Sequence, residues 1–260
     1  MPPDTVYVTI MRRPTDLFTS LYYYFYLDKV YDANVTAFLR QPFFVQTVIN
    51  SRLHYALGFN QMAFDLGVDG DDMTYRDNHE EISRFVQSVD RDFDLVMIAE
   101  RFTESLVLLR HLLGWQLDDM VTFKHNARST RRPPPDEDAV RILEKANRVD
   151  EALYRHFAAK LDRQIEAFGR GRMEAEVAAL ESRTAFWYRR CVGSTTVGGQ
   201  GAVIVYSPLT NVSEVERRMC ELLTMHEQTL VLKARLRLYA LCPQMSPPAT
   251  TKATSVRGPR

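Results

Sequence analysis

The chain has 260 residues, 45% of them hydrophobic and 25% charged, the make-up of an ordinary folded protein with room for one large domain or two small ones. Its 33 Lys+Arg residues balance 33 Asp+Glu residues, so no net field points to nucleic acid or to a membrane surface as a partner. No apolar run approaches the length of a membrane span and the first residues lack a signal-peptide pattern, so the sequence as written carries no visible route into a membrane or a secretory compartment.

In chain order, Thr5 to Met11 ("TVYVTIM") predicts a short buried strand, since β-branched residues dominate it. Arg12-Arg13 follow, and Pro14 is placed for the first turn of a helix, where its missing N–H costs nothing. Leu17, Phe18, Leu21 and Phe25 then recur at helical spacing and are expected to face a core. The segment "FNQMAFDLGVDGDDM" is turn-rich, with Gly67, Gly70 and several aspartates. Asp94 to Ala99 ("DLVMIA") predicts a second buried strand, closed by Glu100, and "RFTESLVLLRHLL" an amphipathic helix stopped by Gly114. After Trp115 comes the polar basic stretch "FKHNARSTRRPPPDED", whose consecutive prolines break any regular element. Asp136 to Ala185 is strongly helical, with Leu153, Phe157, Leu161, Ile165 and Phe168 on one stripe. Gly193 to Gly201 reads as a flexible break and Val215 to Leu238 as one more helix. Residues 1–242 are thus expected to form the folded domain and 243–260, rich in Pro, Thr and Ser, a disordered tail.

Strand-then-helix units with near-continuous apolar strands predict an α/β fold, a parallel sheet flanked by helices. Ligands of such sheets collect outside the carboxyl ends of the strands. Arg12 falls at that edge and Ser20 on the following helix; a planar guanidinium and a hydroxyl together make a one-phosphate clamp. The competing reading is that Arg12 and Arg13 are solvated residues of a strand-to-helix turn. The three cysteines, Cys191, Cys220 and Cys242, are too widely spaced for a zinc site, and no metal enters the reading. Asn34-Val35-Thr36 and Asn211-Val212-Ser213 are N-glycosylation triplets.

The stretch "VTIMRRPTDLFTSLYYYF" resembles the segment of carbohydrate sulfotransferases that holds the 3′-phosphate of the sulfate donor, 3′-phosphoadenosine 5′-phosphosulfate (PAPS). More narrowly, the chain resembles the galactose-3-O-sulfotransferase family, which includes galactosylceramide sulfotransferase. The likeness continues in "FNQMAFDLG", in "FDLVMIAERFTESLVLLRHLLGWQLDDMVTFKHNAR" and in "LYRHFAAKLDRQIEAFGRGRMEAEVAAL". The resemblance implies a fold related to P-loop nucleotide-binding proteins and transfer of a sulfuryl group from PAPS to the 3-hydroxyl of a terminal β-galactose on a glycolipid or glycan. It makes Arg12 and Ser20 the 3′-phosphate ligands, with Lys124, Asn126 and Arg128 of "FKHNAR" as further candidates for the nucleotide or the acceptor. It also implies a Golgi luminal setting, in which Cys191 and Cys220 could pair and Asn34 and Asn211 could carry glycans. Homo-oligomerisation stays open.

The chain also departs from the family pattern. Arg13 stands where relatives carry an acidic residue or asparagine, and Arg101 where a tyrosine is common. Nothing in the sequence fits the strand–loop–helix of type Lys-Thr-x-Lys-Thr-x-Ser-Thr that wraps the 5′-phosphosulfate. The expectation is therefore an N-terminally truncated sulfotransferase domain, the C-terminal two-thirds of an enzyme, inactive and poorly folded as an isolated chain. The alternative is a non-catalytic relative that binds nucleotide, glycan or an intact family member. Among the remaining polar residues, His125 is a weak proton-acceptor candidate, Glu100 either orients a ligand or pairs with an arginine, and His156 is read as a packing residue. Tyr22, Tyr23 and Tyr24 are expected to split between core and surface.

Overall fold

Two short apolar runs, Val8–Met11 (β1) and Leu95–Ile98 (β2), pair in parallel, with Val8 opposite Leu95 and Met11 opposite Ile98. The computed structural model that shows this describes residues 4–43, 58–68, 78–125, 133–198 and 203–242. The proposed tail from 243 lies outside the described residues. The chain divides into two compact units: Met1–Val121 with Thr130–Ala185, and Thr122–Ser129 with Phe186–Arg260. Among the described residues it is a mostly helical α/β protein, and no helix is long and apolar enough to cross a membrane.

In the first unit β1 feeds α1 (Pro14–Tyr24), which begins at Pro14 as the fixed φ of proline favours. The short helices α2 (Leu27–Val30), α3 (Val35–Leu39) and α4 (Gln61–Asp65) follow. The helix α5 (His79–Asp92) then leads into β2. All four β2 residues are buried, whereas the strand expected to be buried over Thr5 to Met11 is shorter and buries only Met11: Val6, Tyr7 and Ile10 are exposed, since among the described residues β1 has β2 as its single neighbour. A 3-10 turn, Ala99–Arg101, joins β2 to α6 (Phe102–Leu113), which ends on Gly114 at φ +66, a left-handed cap that glycine adopts without strain.

The long helical run divides into α7 (Glu137–Ala146), α8 (Arg148–Phe168) and α9 (Arg170–Cys191), broken at Asn147 and at Gly169 with φ +96. Leu153, Phe157, Leu161 and Ile165 of α8 are buried as their spacing requires, each contributing about 1.5–3 kcal/mol of apolar burial, while Phe168, the last residue of the expected stripe, is only half-buried at the helix end.

The buried face of α1 differs from expectation. Thr15, Phe18, Tyr22 and Tyr23 point inward, while Leu17 and Leu21 are half-buried and Phe25 is exposed. The rotation buries two tyrosine rings and satisfies both phenols: the Tyr22 hydroxyl donates to the Ala33 carbonyl at 2.8 Å and that of Tyr23 accepts the Val35 N–H at 3.3 Å. Tyr24 is the surface member of the trio. Phe18 stacks on Phe59 with centroids 5.4 Å apart, within a core shared with Phe38, Leu39 and Leu143.

The second unit carries a hairpin that the sequence reading missed. The expected flexible break from Gly193 is instead β3 (Val192–Gly198), paired antiparallel with β4 (Val203–Pro208); residues 199–202 lie outside the described residues. The reason is in the composition: Thr195, Thr196 and Val197 are strand formers and sit opposite Tyr206, Val205 and Ile204. The single helix expected over 215–238 is two, α10 (Glu214–Thr224) and α11 (Glu227–Leu241). The His226 side chain caps the second by accepting the Gln228 N–H at 3.3 Å. Cys191 and Cys220 are joined by a disulfide, and Cys242 is free.

Candidate functional site

At the carboxyl edge of the parallel pair, β1 ends in Arg12-Arg13 and β2 in Glu100-Arg101. Arg12 is exposed, and among the described residues its guanidinium has neither hydrogen bond nor ion pair. Its backbone N–H donates to Sδ of Met62, a weak acceptor, at 3.5 Å. Ser20, half-buried on α1, likewise has no hydrogen-bond partner for its hydroxyl among the described residues.

Arg13 is engaged with the protein. Its N–H donates to Oε1 of Glu100 at 2.9 Å, and the Tyr154 hydroxyl donates to the other oxygen, Oε2, at 3.2 Å. Partial burial opposes the charge on Arg13, but the Tyr154 hydroxyl, Asp16 and Glu100 outweigh it and raise its pKa. Glu100 is thus a brace between the two strand ends.

A buried polar knot lies behind this edge. The Asn60 side chain accepts the N–H groups of Val149 and Asp150 at 3.1 and 3.3 Å, capping the start of α8. In return the Asp150 carboxylate accepts the N–H groups of Met62 and Ala63 at 3.0 and 2.9 Å, capping α4. Asn147 completes it by accepting the Asn60 N–H at 2.8 Å. Each helix therefore supplies the cap of the other, which satisfies N–H groups that would otherwise be orphaned inside the fold. Asp150 is 1% exposed, and burial pushes its pKa up to about 7 against the pull of its two N–H partners. Sequence reasoning missed this knot, although Asp150 sits three residues before Leu153 on the buried stripe of α8, where an acidic residue demands a partner.

At the end of β2 the equivalent groups are occupied. The Arg101 guanidinium bonds both oxygens of Glu104, at 2.6 and 2.7 Å, and pairs with Asp162. Ser105 is fully buried and its hydroxyl accepts the Ile98 N–H at 3.0 Å. His156 lies 3.0 Å from Asp90, which also pairs with Lys160, so its role is polar as well as packing.

Of the remaining candidates, Lys124 belongs to the second unit, where it is exposed and its carbonyl accepts the Tyr206 hydroxyl at 2.9 Å. Asn126 and Arg128 lie outside the described residues. His125 has Nε2 2.8 Å from the Leu223 carbonyl; a carbonyl only accepts, so that nitrogen carries the proton and cannot serve as a base there. Asn34 is exposed and caps α3 by accepting the Ala37 N–H at 2.9 Å, and Asn211 is exposed in a bend before α10.

A sequence model described as Galactose-3-O-sulfotransferase matches residues 1–211. The chain belongs to that family. It is 38% identical over 205 residues to galactose-3-O-sulfotransferase 3 of Mus musculus, a match covering 76% of this chain and 47% of the relative. With the Homo sapiens protein of the same name it shares 39% over 201 residues, covering 74% and 46%. With the galactosylceramide sulfotransferase of Bos taurus it shares 36% over 197 residues, covering 73% and 45%. The chain therefore spans about half the length of the curated relatives it matches. No solved structure matches it.

Proposed function

We propose that the chain forms the 3′-phosphate side of a PAPS site in a galactose 3-O-sulfotransferase, an enzyme that moves a sulfuryl group to the 3-hydroxyl of a terminal β-galactose on glycolipid or glycan. The observation that carries this is the exposed, partnerless guanidinium of Arg12 at the carboxyl edge of β1, followed by the partnerless Ser20 hydroxyl on α1, in a chain of this family. A charged fork and a hydroxyl fit a phosphate, and neither would have to break a protein contact to bind it. PAPS, when bound, supplies the sulfuryl group; Arg12 and Ser20 hold its 3′-phosphate and so orient the nucleotide, a positioning role of the kind on which group transfer to an oxygen acceptor depends.

The same reading places the fold among the P-loop-related sulfotransferases and makes Lys124, Asn126 and Arg128 secondary candidates for nucleotide or acceptor contact. It sets the protein in the Golgi lumen. There Asn34 and Asn211, both exposed, are available to carry glycans, and an oxidising environment favours the Cys191–Cys220 disulfide.

Calorimetric titration with 3′-phosphoadenosine 5′-phosphate and, separately, with 5′-AMP tests the reading. The expected result is at least about tenfold tighter binding of the 3′-phosphorylated nucleotide, a preference lost in Arg12→Ala. Equal affinities in the wild type, or a preference that survives Arg12→Ala, would overturn it.

A further inference from the structure

The Arg12 side chain is free, but the peptide that carries it is not. Arg12 N–H is held by Met62 Sδ at 3.5 Å and Arg13 N–H by Glu100 Oε1 at 2.9 Å. Behind each of these acceptors stands a residue of α8. Asp150 takes the N–H groups of Met62 and Ala63 and so fixes the first turn of α4, Met62 with it. Tyr154, one helical turn later on the same face, donates to the far oxygen of Glu100 at 3.2 Å.

Apolar packing alone does not account for this arrangement. A carboxyl group with 1% exposure is costly to bury, and an apolar residue would continue the stripe of Leu153 and Phe157 but leave the N–H groups of Met62 and Ala63 without a partner. What the carboxylate achieves is a fixed start for α4, and what the phenol achieves is a fixed rotamer for Glu100. Both effects converge on two successive amides at the end of β1.

We propose that Asp150 and Tyr154 are positioning residues for phosphate binding: one face of α8, acting through Met62 and Glu100, holds the Arg12-Arg13 peptide so that the Arg12 guanidinium is presented to the ligand. This rests on the donor reading of Arg12. The guanidinium itself gains order only on binding, at the entropic expense of a long side chain, so a backbone fixed in advance limits what remains to be ordered.

The test compares wild type, Asp150→Asn and Tyr154→Phe by titration with 3′-phosphoadenosine 5′-phosphate and with 5′-AMP, alongside thermal unfolding and amide hydrogen exchange at Arg12 and Arg13. Tyr154→Phe removes only a half-buried hydroxyl and carries the test alone if Asp150→Asn does not fold. Expected for Tyr154→Phe is an about three- to tenfold weaker 3′-phosphorylated nucleotide, unchanged 5′-AMP binding, faster Arg13 exchange and an unchanged Tm. Unchanged affinity for the 3′-phosphorylated nucleotide, or parallel loss of both nucleotides with a lowered Tm, would overturn the inference. If the wild type fails to prefer the 3′-phosphorylated nucleotide, the donor reading falls first and takes the inference with it. If the wild type keeps that preference and Tyr154→Phe keeps it undiminished, only the inference falls.

Discussion

The two strand-to-helix units of the first compact body begin alike and end differently. Both put an arginine within three residues of the end of a strand and a serine on the helix that follows: Arg12 and Ser20 after the partly exposed β1, Arg101 and Ser105 after the buried β2. After β2, Glu104 and Asp162 neutralise Arg101, and Ser105 is spent on the Ile98 backbone. After β1, both side chains lack a partner among the described residues. The same residue types after the two strands thus serve the protein in one unit and are left over in the other. A cation without an internal partner at a sheet's carboxyl edge is the group to test for a ligand, and one chelated by two carboxylates is not.

The largest effect that would break this contrast is on Arg12. Arg12→Ala should weaken 3′-phosphoadenosine 5′-phosphate by one to several powers of ten, since a charge-assisted pair with one partner removed costs about 2–5 kcal/mol, while Tm stays unchanged. A drop in Tm with unchanged affinity would reverse the roles assigned to the two arginines.

Next comes the acidic knot behind β1. Asp150, raised from 3.8 to about 7 chiefly by burial, holds a proton in the native state between about pH 4 and pH 7 that the unfolded chain has lost there. The stability it contributes is fully present below about pH 4 and is lost as pH rises through about 7, on the order of 4 kcal/mol in all. Urea unfolding across that range should show the slope in the wild type and a flatter one in Asp150→Asn; identical slopes would mean that Asp150 is ionised at neutral pH. Ser20→Ala should cost about tenfold in affinity for the 3′-phosphorylated nucleotide alone, as expected for a hydroxyl bonded to a charged group. The smallest effect belongs to Arg101. Arg101→Met should leave nucleotide affinity intact and lower stability by about 1 kcal/mol, because Glu104 and Asp162 are exposed enough to be rehydrated. Loss of affinity there would erase the comparison.

Much of the fold was legible in the chain. β2, the presence of β1 though not its burial, the Pro14 start of α1, the Gly114 stop of α6 and most of the α8 stripe follow from local rules of periodicity and capping. The hairpin of β3 and β4 was not, because its glycines read as a break, and the Thr-Thr-Val run between them gains stability only from partners in β4 further along the chain, Tyr206, Val205 and Ile204. The orientation of α1 was missed for a similar reason. Leucine spacing favours one face, but the rings and phenols of Tyr22 and Tyr23 find their partners in Ala33 and Val35.

By itself, the sequence determined most elements of the first unit and the family: apolar periodicity sets strands and helices locally, and long ordered blocks such as "FDLVMIAERF" mark kinship. It also placed Arg12 and Ser20 on a strand end and a helix. Only the tertiary structure decided which charges remain available. Whether an arginine is free depends on carboxylates as distant as the 61 residues between Arg101 and Asp162, and whether its backbone is held depends on Asp150 and Tyr154 in a helix far along the chain. Hydrogen bonds and ion pairs act over a few ångströms in space and take no account of separation along the chain, so their partners are chosen by folding.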